Sequence, residues 1–175
     1  MKLKNFSLIL LIGSITFLTN CGVYSFTGAS ISPDVKTISI QQFYNNAPLG
    51  PSNMTTLFTE GIRDYFQQNT SLALVESNGD LQIDGFISNY TITPVAATSS
   101  GSNDGNDFSS LSRITITVSA TYTNLKDATF DFDRSFSFFR DYDNSIDLSS
   151  NEEAFVEEIF DQIILDIFNA SVANW

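Results

Sequence analysis

Carboxylates make up most of the side chains in this 175-residue chain that could do chemistry. There are 20 Asp and Glu residues, 8 Lys and Arg residues, a single Cys and no His. The lack of histidine excludes Ser-His-Asp and Cys-His mechanisms and histidine-ligated zinc. The net charge of -12 argues against nucleic-acid binding, which needs basic residues to neutralise phosphates. Carboxylate chemistry is therefore the class of reaction that the sequence leaves to be considered, and no cofactor is implied.

One acidic segment, residues 141–152, has the spacing of a calcium-binding loop. Oxygen-bearing side chains occupy its positions 1, 3, 5, 7, 9 and 12, from Asp141 to Glu152. However, Ile146 stands where such a loop needs glycine for its sharp turn, and a predicted strand precedes the segment. A polar strand-to-helix connection is the favoured interpretation. We predict no metal site, and leave open whether this loop holds a cation.

Two other acidic segments have features of a catalytic or cation-binding site. Asp131 and Asp133 face the same way on a predicted strand, as the two members of a catalytic carboxylate pair would. The segment 103–107 could hold a cation, but its composition is that of a loop tip. No spacing places any pair of carboxylates in a common cleft, so we predict no catalytic residues and no enzyme activity.

Arg134 and Arg140 are the candidate ligand-binding residues. Like Phe132, Phe136 and Phe138 they are even-numbered, so they lie on the same face of the predicted strand. A guanidinium group in such a position either lies over an aromatic ring as a cation–π pair or projects towards an anionic ligand. The structural role is favoured, and both arginines are kept as ligand candidates.

The N-terminus has the parts of an export signal. Two lysines precede an uncharged, mostly apolar stretch, residues 6–18, which is too short to span a membrane. The segment Leu18-Thr-Asn-Cys21-Gly then looks like a bacterial lipobox, with Cys21 as the acylated residue. We expect a lipoprotein signal peptide over residues 1–20 and an N-terminal lipid anchor in the membrane. The alternative is an ordinary signal peptide that ends near a cysteine.

Hydrophobic periodicity predicts the elements that would position these residues. Alternating apolar residues predict strands over 36–44, 72–76, 81–92, 113–123 and 130–142. Helical spacing predicts an amphipathic helix over about 54–69 with Ser52 or Asn53 as its N-cap. A second helix is predicted to start at a capping box at Ser149 or Ser150 and to run to about residue 172.

The strand over 81–92 changes its apolar phase. Leu81 and Ile83 are odd-numbered, whereas Phe86 and Tyr90 are even-numbered, and Gly85 lies at the switch. A β-bulge at Gly85 is the predicted cause.

Together these elements predict an α+β fold in the order β-α-β-β-β-β-α. Each helix has one apolar stripe, so two amphipathic helices should pack on one face of a four- to five-stranded sheet. We expect a lipidated tether over residues 21–34 and a single domain over residues 35–175. Ser, Gly, Asn and Asp dominate residues 98–112, which predicts a long loop there.

Five segments together have a familiar pattern: Cys21–Gly28, Lys36–Ile40, Phe58–Phe66, Asp80–Ser88 and the ending Asn174-Trp175. They resemble the lipopolysaccharide-assembly lipoprotein family LptE, in its Bacteroidota form. The resemblance spans about residues 21–175 and rests on element order and scattered motifs. It implies two helices against a sheet of about four strands, in agreement with the prediction from periodicity.

The resemblance also implies a function. Members of the family are anchored in the outer membrane on its periplasmic face. They act as plug and assembly partner of the β-barrel protein LptD, which delivers lipopolysaccharide to the cell surface. An LptD-like barrel is thus the expected partner. In the family, contacts with lipopolysaccharide are attributed to basic residues. The excess of acidic residues in this chain argues against such direct binding. The alternative hypothesis is a freestanding periplasmic lipoprotein that binds a glycan or a lipid on its sheet.

Overall fold

The alternating and helical patterns of the sequence become six strands and two α-helices in a computed structural model, which describes residues 31–95 and 111–172. The strands are β1 (Thr37–Ile40), β2 (Tyr44–Asn45), β3 (Ala73–Val75), β4 (Leu81–Val95), β5 (Leu111–Asn124) and β6 (Phe132–Asp143). The helices are α1 (Met54–Asn69) and α2 (Leu148–Ser171), and a 3-10 helix spans Ala128–Phe130.

All six strands belong to one mixed sheet. Its order is β3-β1-β4-β5-β6, and β2 pairs with β4 beyond the end of β1. β1 is parallel to β3 and β4, whereas β4, β5 and β6 are antiparallel neighbours. The predicted α+β fold of two helices and a sheet is confirmed. The sheet has one strand more than expected because the predicted strand over 36–44 is divided into β1 and β2.

Phe43 explains this division. Its side chain is fully buried, and its backbone N–H donates to Thr59 Oγ1 on α1 at 3.1 Å. The ring of Phe43 meets that of Phe58 edge-on, with 4.8 Å between the centroids. The chain therefore leaves the sheet after Ile40 so that Phe43 can reach α1.

Both helices cover the same face of the sheet, here called the inner face. They contact each other through edge-on aromatic pairs, Phe58 with Phe160 at 4.9 Å and Phe66 with Phe168 at 5.0 Å. The buried hydrophobic residues on the inner face of the three long strands are Leu81, Ile83, Ile87, Tyr90, Ile114, Ile116, Val118, Ala120, Tyr122, Phe136 and Tyr142. Strands and helices share one hydrophobic cluster. No described element covers the opposite, outer face.

The predicted bulge at Gly85 is wrong. Gly85 pairs regularly with Ala120, and the register shifts between Ile87 and Asn89 instead. Phe86 consequently lies on the outer face and is 38% exposed, whereas Ile87 is fully buried. The sequence contains two successive apolar residues here, so parity alone could not decide which one faces the core.

The predicted capping box of the second helix is also wrong. α2 begins at Leu148, and its N-cap is Asp147, whose Oδ1 accepts the N–H of Ser149 at 3.1 Å. The same carboxylate accepts the hydroxyls of Ser149 and Ser150 at 2.8 and 2.7 Å. A carboxylate with three local donors is a stronger N-cap than the serines that follow it. The first helix does begin after Asn53, as one of the two predicted caps requires.

The long loop ends earlier than predicted. Leu111 already pairs with Val95 and with Asp143, and Ser112 is 9% exposed. The rest of the predicted loop, including residues 103–107, lies outside the described residues. So does Cys21 with residues 1–30. Neither described helix is long and apolar enough to cross a membrane.

Candidate functional site

β6 positions both candidate arginines on the inner face, near the edge of the sheet. The Cζ atom of Arg134 lies 4.6 Å from the ring centroid of Phe136 and 5.1 Å from that of Phe132. The Cζ atom of Arg140 lies 4.8 Å from the ring centroid of Phe155 on α2. Both arginines therefore make the cation–π contacts that their parity predicted.

The two arginines differ in how their charge is compensated. Arg140 forms an ion pair with Glu158 of α2. Arg134 is exposed and has no carboxylate partner among the described residues. Of the two candidates, Arg134 is thus the one whose charge is available to an anionic ligand.

A third arginine, Arg113, was missed as a site residue. On the outer face it forms a two-pronged pair with Asp141, with Nε and Nη2 at 2.6 and 2.8 Å from the carboxylate oxygens. Its Cζ atom lies 3.6 Å from the ring centroid of Phe139. Hydrogen bonding to Arg113 lowers the pKa of the Asp141 carboxyl. Only the register between β5 and β6 brings these residues together, so no local sequence signal could have found the pair.

The acidic segment 141–152 does not converge on one point. Asp141 is occupied by Arg113, Asp147 caps α2, and Glu152 accepts the hydroxyl of Tyr90 at 2.5 Å. Burial and this hydrogen bond raise the pKa of Tyr90 well above its ordinary value. Within the described parts of the chain, no three His, Cys, Asp or Glu residues are grouped to hold a metal ion. Asp147 thus serves the connection from β6 to α2, whereas Asp141 and Glu152 bind side chains of β5 and β4.

Asp131 and Asp133 do not act as a pair either. Asp131 Oδ1 accepts the N–H of Asn124 across the β5–β6 connection at 2.8 Å. Asp133 is exposed on the outer face opposite Thr121. The two carboxylates thus have separate surroundings, and the first has a structural role.

The outer face is polar but mostly uncharged. Hydroxyls pair across β5 and β6, Thr117 with Ser137 at 3.0 Å and Ser119 with Ser135 at 2.9 Å. Aromatic residues border this band of hydroxyls, with Phe139 and the paired Tyr44 and Phe86 exposed. Such a face can stay hydrated or make many neutral hydrogen bonds, and it offers rings for stacking.

One concavity borders β6 and another lies at the β5–β6 connection. A groove of about 250 Å³ lies between the second half of β6 and α2, lined by Phe138, Phe139, Arg140, Asp141, Glu158 and Ile159. A larger cleft of about 470 Å³ lies at the β5–β6 connection, and its lining includes Tyr122, Phe130 and Lys126. Lys126 is already paired with Asp80 at 3.1 Å. Neither concavity brings together residues for catalysis.

The fold places the chain in a class of small α+β domains with two helices on one face of a mixed sheet. Similar solved structures include a putative neuraminyllactose-binding hemagglutinin homolog from Helicobacter pylori, at 9% identity and a TM-score of 0.52, covering 83% of this chain and 88% of that one. A hypothetical protein from Chlamydia trachomatis is similar at 10% identity and a TM-score of 0.50, covering 78% and 97%. Rare lipoprotein B from Shewanella oneidensis has 17% identity and a TM-score of 0.46, covering 75% and 92%.

The family is established by the sequence itself. The model of the lipopolysaccharide-assembly family LptE matches residues 35–171. The chain therefore belongs to the LptE family of non-enzymatic lipopolysaccharide-assembly lipoproteins, and the resemblance seen in its motifs is confirmed. No curated protein matches the chain.

Proposed function

We propose that this protein is an outer-membrane lipoprotein of the lipopolysaccharide transport machinery, acting as plug and assembly partner of an LptD-like barrel. Acylated Cys21 would hold it at the periplasmic face of the outer membrane. The observation that carries the proposal is the family match, which covers residues 35–171.

The distribution of polar and apolar surface supports this role. The helices and the inner face bury their apolar residues against each other, so the domain is a preformed body that needs no partner to complete its core. The outer face carries hydroxyl pairs, which suit contact with the polar, water-filled interior of a barrel. The work proposed is steric and interfacial, with no chemical step and no cofactor.

Arg134 is the residue that we propose for any direct contact with lipopolysaccharide. Its guanidinium group is exposed and has no carboxylate partner among the described residues, whereas Arg140 is paired with Glu158. A guanidinium group suits a phosphate by charge and by its planar set of donors. The net charge of -12 opposes this contact over longer distances. We therefore place the interaction with the barrel first.

Affinity purification tests the partnership. The tagged full-length chain, extracted in mild detergent from its native membranes, should recover a large outer-membrane barrel protein in equal amount. Depletion of the chain should lower lipopolysaccharide at the cell surface. Recovery of the lipoprotein alone would contradict the proposal.

A freestanding glycan- or lipid-binding lipoprotein is the second candidate. It is favoured by Phe86 and Phe139, exposed aromatic residues at two places on a hydroxyl-rich sheet face, since sugar rings stack on aromatic side chains. The name of the Helicobacter pylori neighbour includes binding of neuraminyllactose, which belongs to the same chemical class. This alternative predicts normal surface lipopolysaccharide after depletion and a bound ligand that survives purification.

A further inference from the structure

Among the described strands, β6 has a neighbour on one side only, so that its other edge is free. β6 is the last strand in the sheet order, and no described strand pairs with its outer edge. Its register with β5 continues through Phe132–Asp143 without a bulge, and it contains no proline. Bulges and prolines are devices by which proteins prevent edge strands from pairing with other chains. Charged side chains are a third such device, and the only one of the three that β6 contains. Its edge can therefore accept another strand.

The direction of the hydrogen bonds shows which peptide groups of β6 are free. The N–H of Leu125 donates to the carbonyl of Asp80 at 2.9 Å, one residue beyond the pair Leu81–Asn124. Because hydrogen-bonded pairs alternate in an antiparallel ladder, odd-numbered residues of β5 bond to β4 and even-numbered residues bond to β6. In β6 the odd-numbered residues, such as Ser135 and Ser137, thus direct their N–H and C=O groups away from β5.

A groove accompanies this edge. Phe138 and Ile159 form its apolar part between β6 and α2, and the Arg140–Glu158 ion pair lies beside them. Phe138 and Phe139 are 37% and 44% exposed. A free strand edge next to a helix is the geometry in which extended peptides bind by strand addition, with one side chain held in the groove.

Two copies of this chain meet like charges in the central antiparallel registers. In the central antiparallel register, Ser137 would face Ser137, Arg134 would face Arg140, and Asp133 would face Asp141. In the register centred on residue 138, Asp133 would face Asp143. In the register centred on residue 136, Asp131 would face Asp141. Like charges directly opposite one another are destabilising in a sheet, whereas registers centred on Ser135 or Phe139 oppose no like charges. A dimer of the free lipoprotein that Ser137→Pro abolishes would therefore make a second copy the occupant of this edge.

The net charge of the chain and the carboxylates on the exposed side of α2 favour a basic partner. The exposed side of α2 carries Glu153, Glu157, Glu158 and Asp161, and the whole chain has a net charge of -12. Only Glu158 among these four has an ion-pair partner within the described residues. A neighbouring strand with Lys or Arg beside its apolar residue would complement this surface.

We propose that β6 is a strand-addition site for an extended segment of the barrel partner. The segment pairs with the free edge as a seventh strand, places an apolar side chain in the groove at Phe138 and Ile159, and carries basic residues opposite α2. This inference rests on the proposed function, because the occupant is a segment of that partner.

The variant Ser137→Pro tests the site in the full-length protein. Proline removes an N–H that β5 does not use and places its ring at the free edge, where it obstructs an added strand. Ser137→Ala is the matched control, since it also loses the hydroxyl that pairs with Thr117. Recovery of the barrel should fall about tenfold with proline and stay within about twofold with alanine, as expected for losing hydrogen bonds at an interface.

A second variant and a second measurement address the folding of the proline variant. Phe138→Asp changes no peptide group of the free edge but replaces the ring of Phe138 with a carboxylate, so that the apolar side chain of the added strand loses its contact in the groove. It should lower recovery of the barrel in the same direction. Backbone amide exchange at residues 135, 137 and 139 should be about tenfold slower in the purified complex than in the free lipoprotein.

The outcomes separate the two proposals. If the wild-type chain recovers no barrel, the proposed function fails and the strand-addition site fails with it. If the barrel is recovered equally well by the wild type, Ser137→Pro and Phe138→Asp, the function stands and the site is overturned. Unchanged exchange of the odd-numbered β6 amides in the complex would overturn it as well.

Discussion

Asp80 joins three segments that are distant in the sequence. Its Oδ2 accepts the backbone N–H groups of Lys36 and Thr37 at 2.9 and 3.1 Å and the hydroxyl of Thr37 at 3.0 Å. Its Oδ1 pairs with Lys126 at 3.1 Å. These donors, first among them the N–H of Lys36, hold the pKa of Asp80 far below its ordinary value of 3.8. A single carboxylate thus ties the start of β1 to the turn before β4 and to the end of β5.

Asp80→Asn should lower the melting temperature by a few degrees at pH 7. The folded pKa is depressed, so the stabilisation is fully present above pH 3.8 and is lost as the pH falls towards the folded pKa. The difference between the wild type and the variant should therefore be constant from pH 5 to 7 and shrink below about pH 4. Thermal melts across this range measure it.

Asp84→Asn is the control for this prediction. Asp84 lies four residues further along, on β4, and its exposed carboxylate makes no hydrogen bond to another described residue. Its replacement should leave the melting temperature nearly unchanged. If the difference in melting temperature between the wild type and Asp80→Asn grew as the pH fell, the stabilising role of the ionised Asp80 would be contradicted.

At the scale of elements, close packing decides the course of β4. A Cβ atom on Gly85 would lie 2.2 Å from the carbonyl oxygen of Ser119 and 2.7 Å from Cε1 of Phe43. Glycine is needed at this position so that β4 can pass under Phe43, the residue that divides β1 from β2. A Cβ atom on Gly61 of α1 would lie 3.0 Å from the flexible end of Ile164.

Gly85→Ala should destabilise the protein by about 1–3 kcal/mol or more, because backbone and a packed ring cannot both move away. Gly61→Ala is the matched comparison. It should change the free energy of unfolding by less than about 1 kcal/mol, since Ile164 can rotate and alanine favours the helix. Urea denaturation of both variants measures the difference. Equal effects would contradict the packing explanation.

At the scale of the whole molecule, the folded body and the proposed anchor are separate parts of the chain. The described structure begins at Ile31, which packs against the core, and Cys21 lies ten residues earlier. A chain of this length reaches at most about 35 Å. An acylated Cys21 would thus keep the body close to the membrane surface.

Cys21→Ala should release the protein into the soluble periplasmic fraction without changing the melting temperature of the body. The acyl chains supply the membrane affinity, whereas the hydrophobic cluster is built from residues at position 35 and beyond, with Ile31 packed against it. Cell fractionation followed by thermal melts measures both effects. Retention of the variant in carbonate-washed membranes would contradict the assigned anchor.

Local periodicity accounts for what could be predicted of the fold. The stripe of α2 and the alternation of β5 are properties of neighbouring residues, and both helices and the long strands were located from them. The bulge at Ser88 and the cap at Asp147 were missed because each involves a choice between adjacent residues of similar type. The site residues were predicted in part, since the parity of Arg134 and Arg140 indicated their aromatic contacts.

The sequence by itself determined the absence of histidine chemistry, the α+β class, the family and the acidic character, because composition and short-range pattern are sufficient for these. Only the tertiary structure decided the partners of Asp80, Arg113 and Glu152, since those contacts join residues at least 28 positions apart. It also decided that β6 is an edge strand and which of its peptide groups are free. Strand order and hydrogen-bond register arise from the packing of the whole chain, and no local pattern contains them.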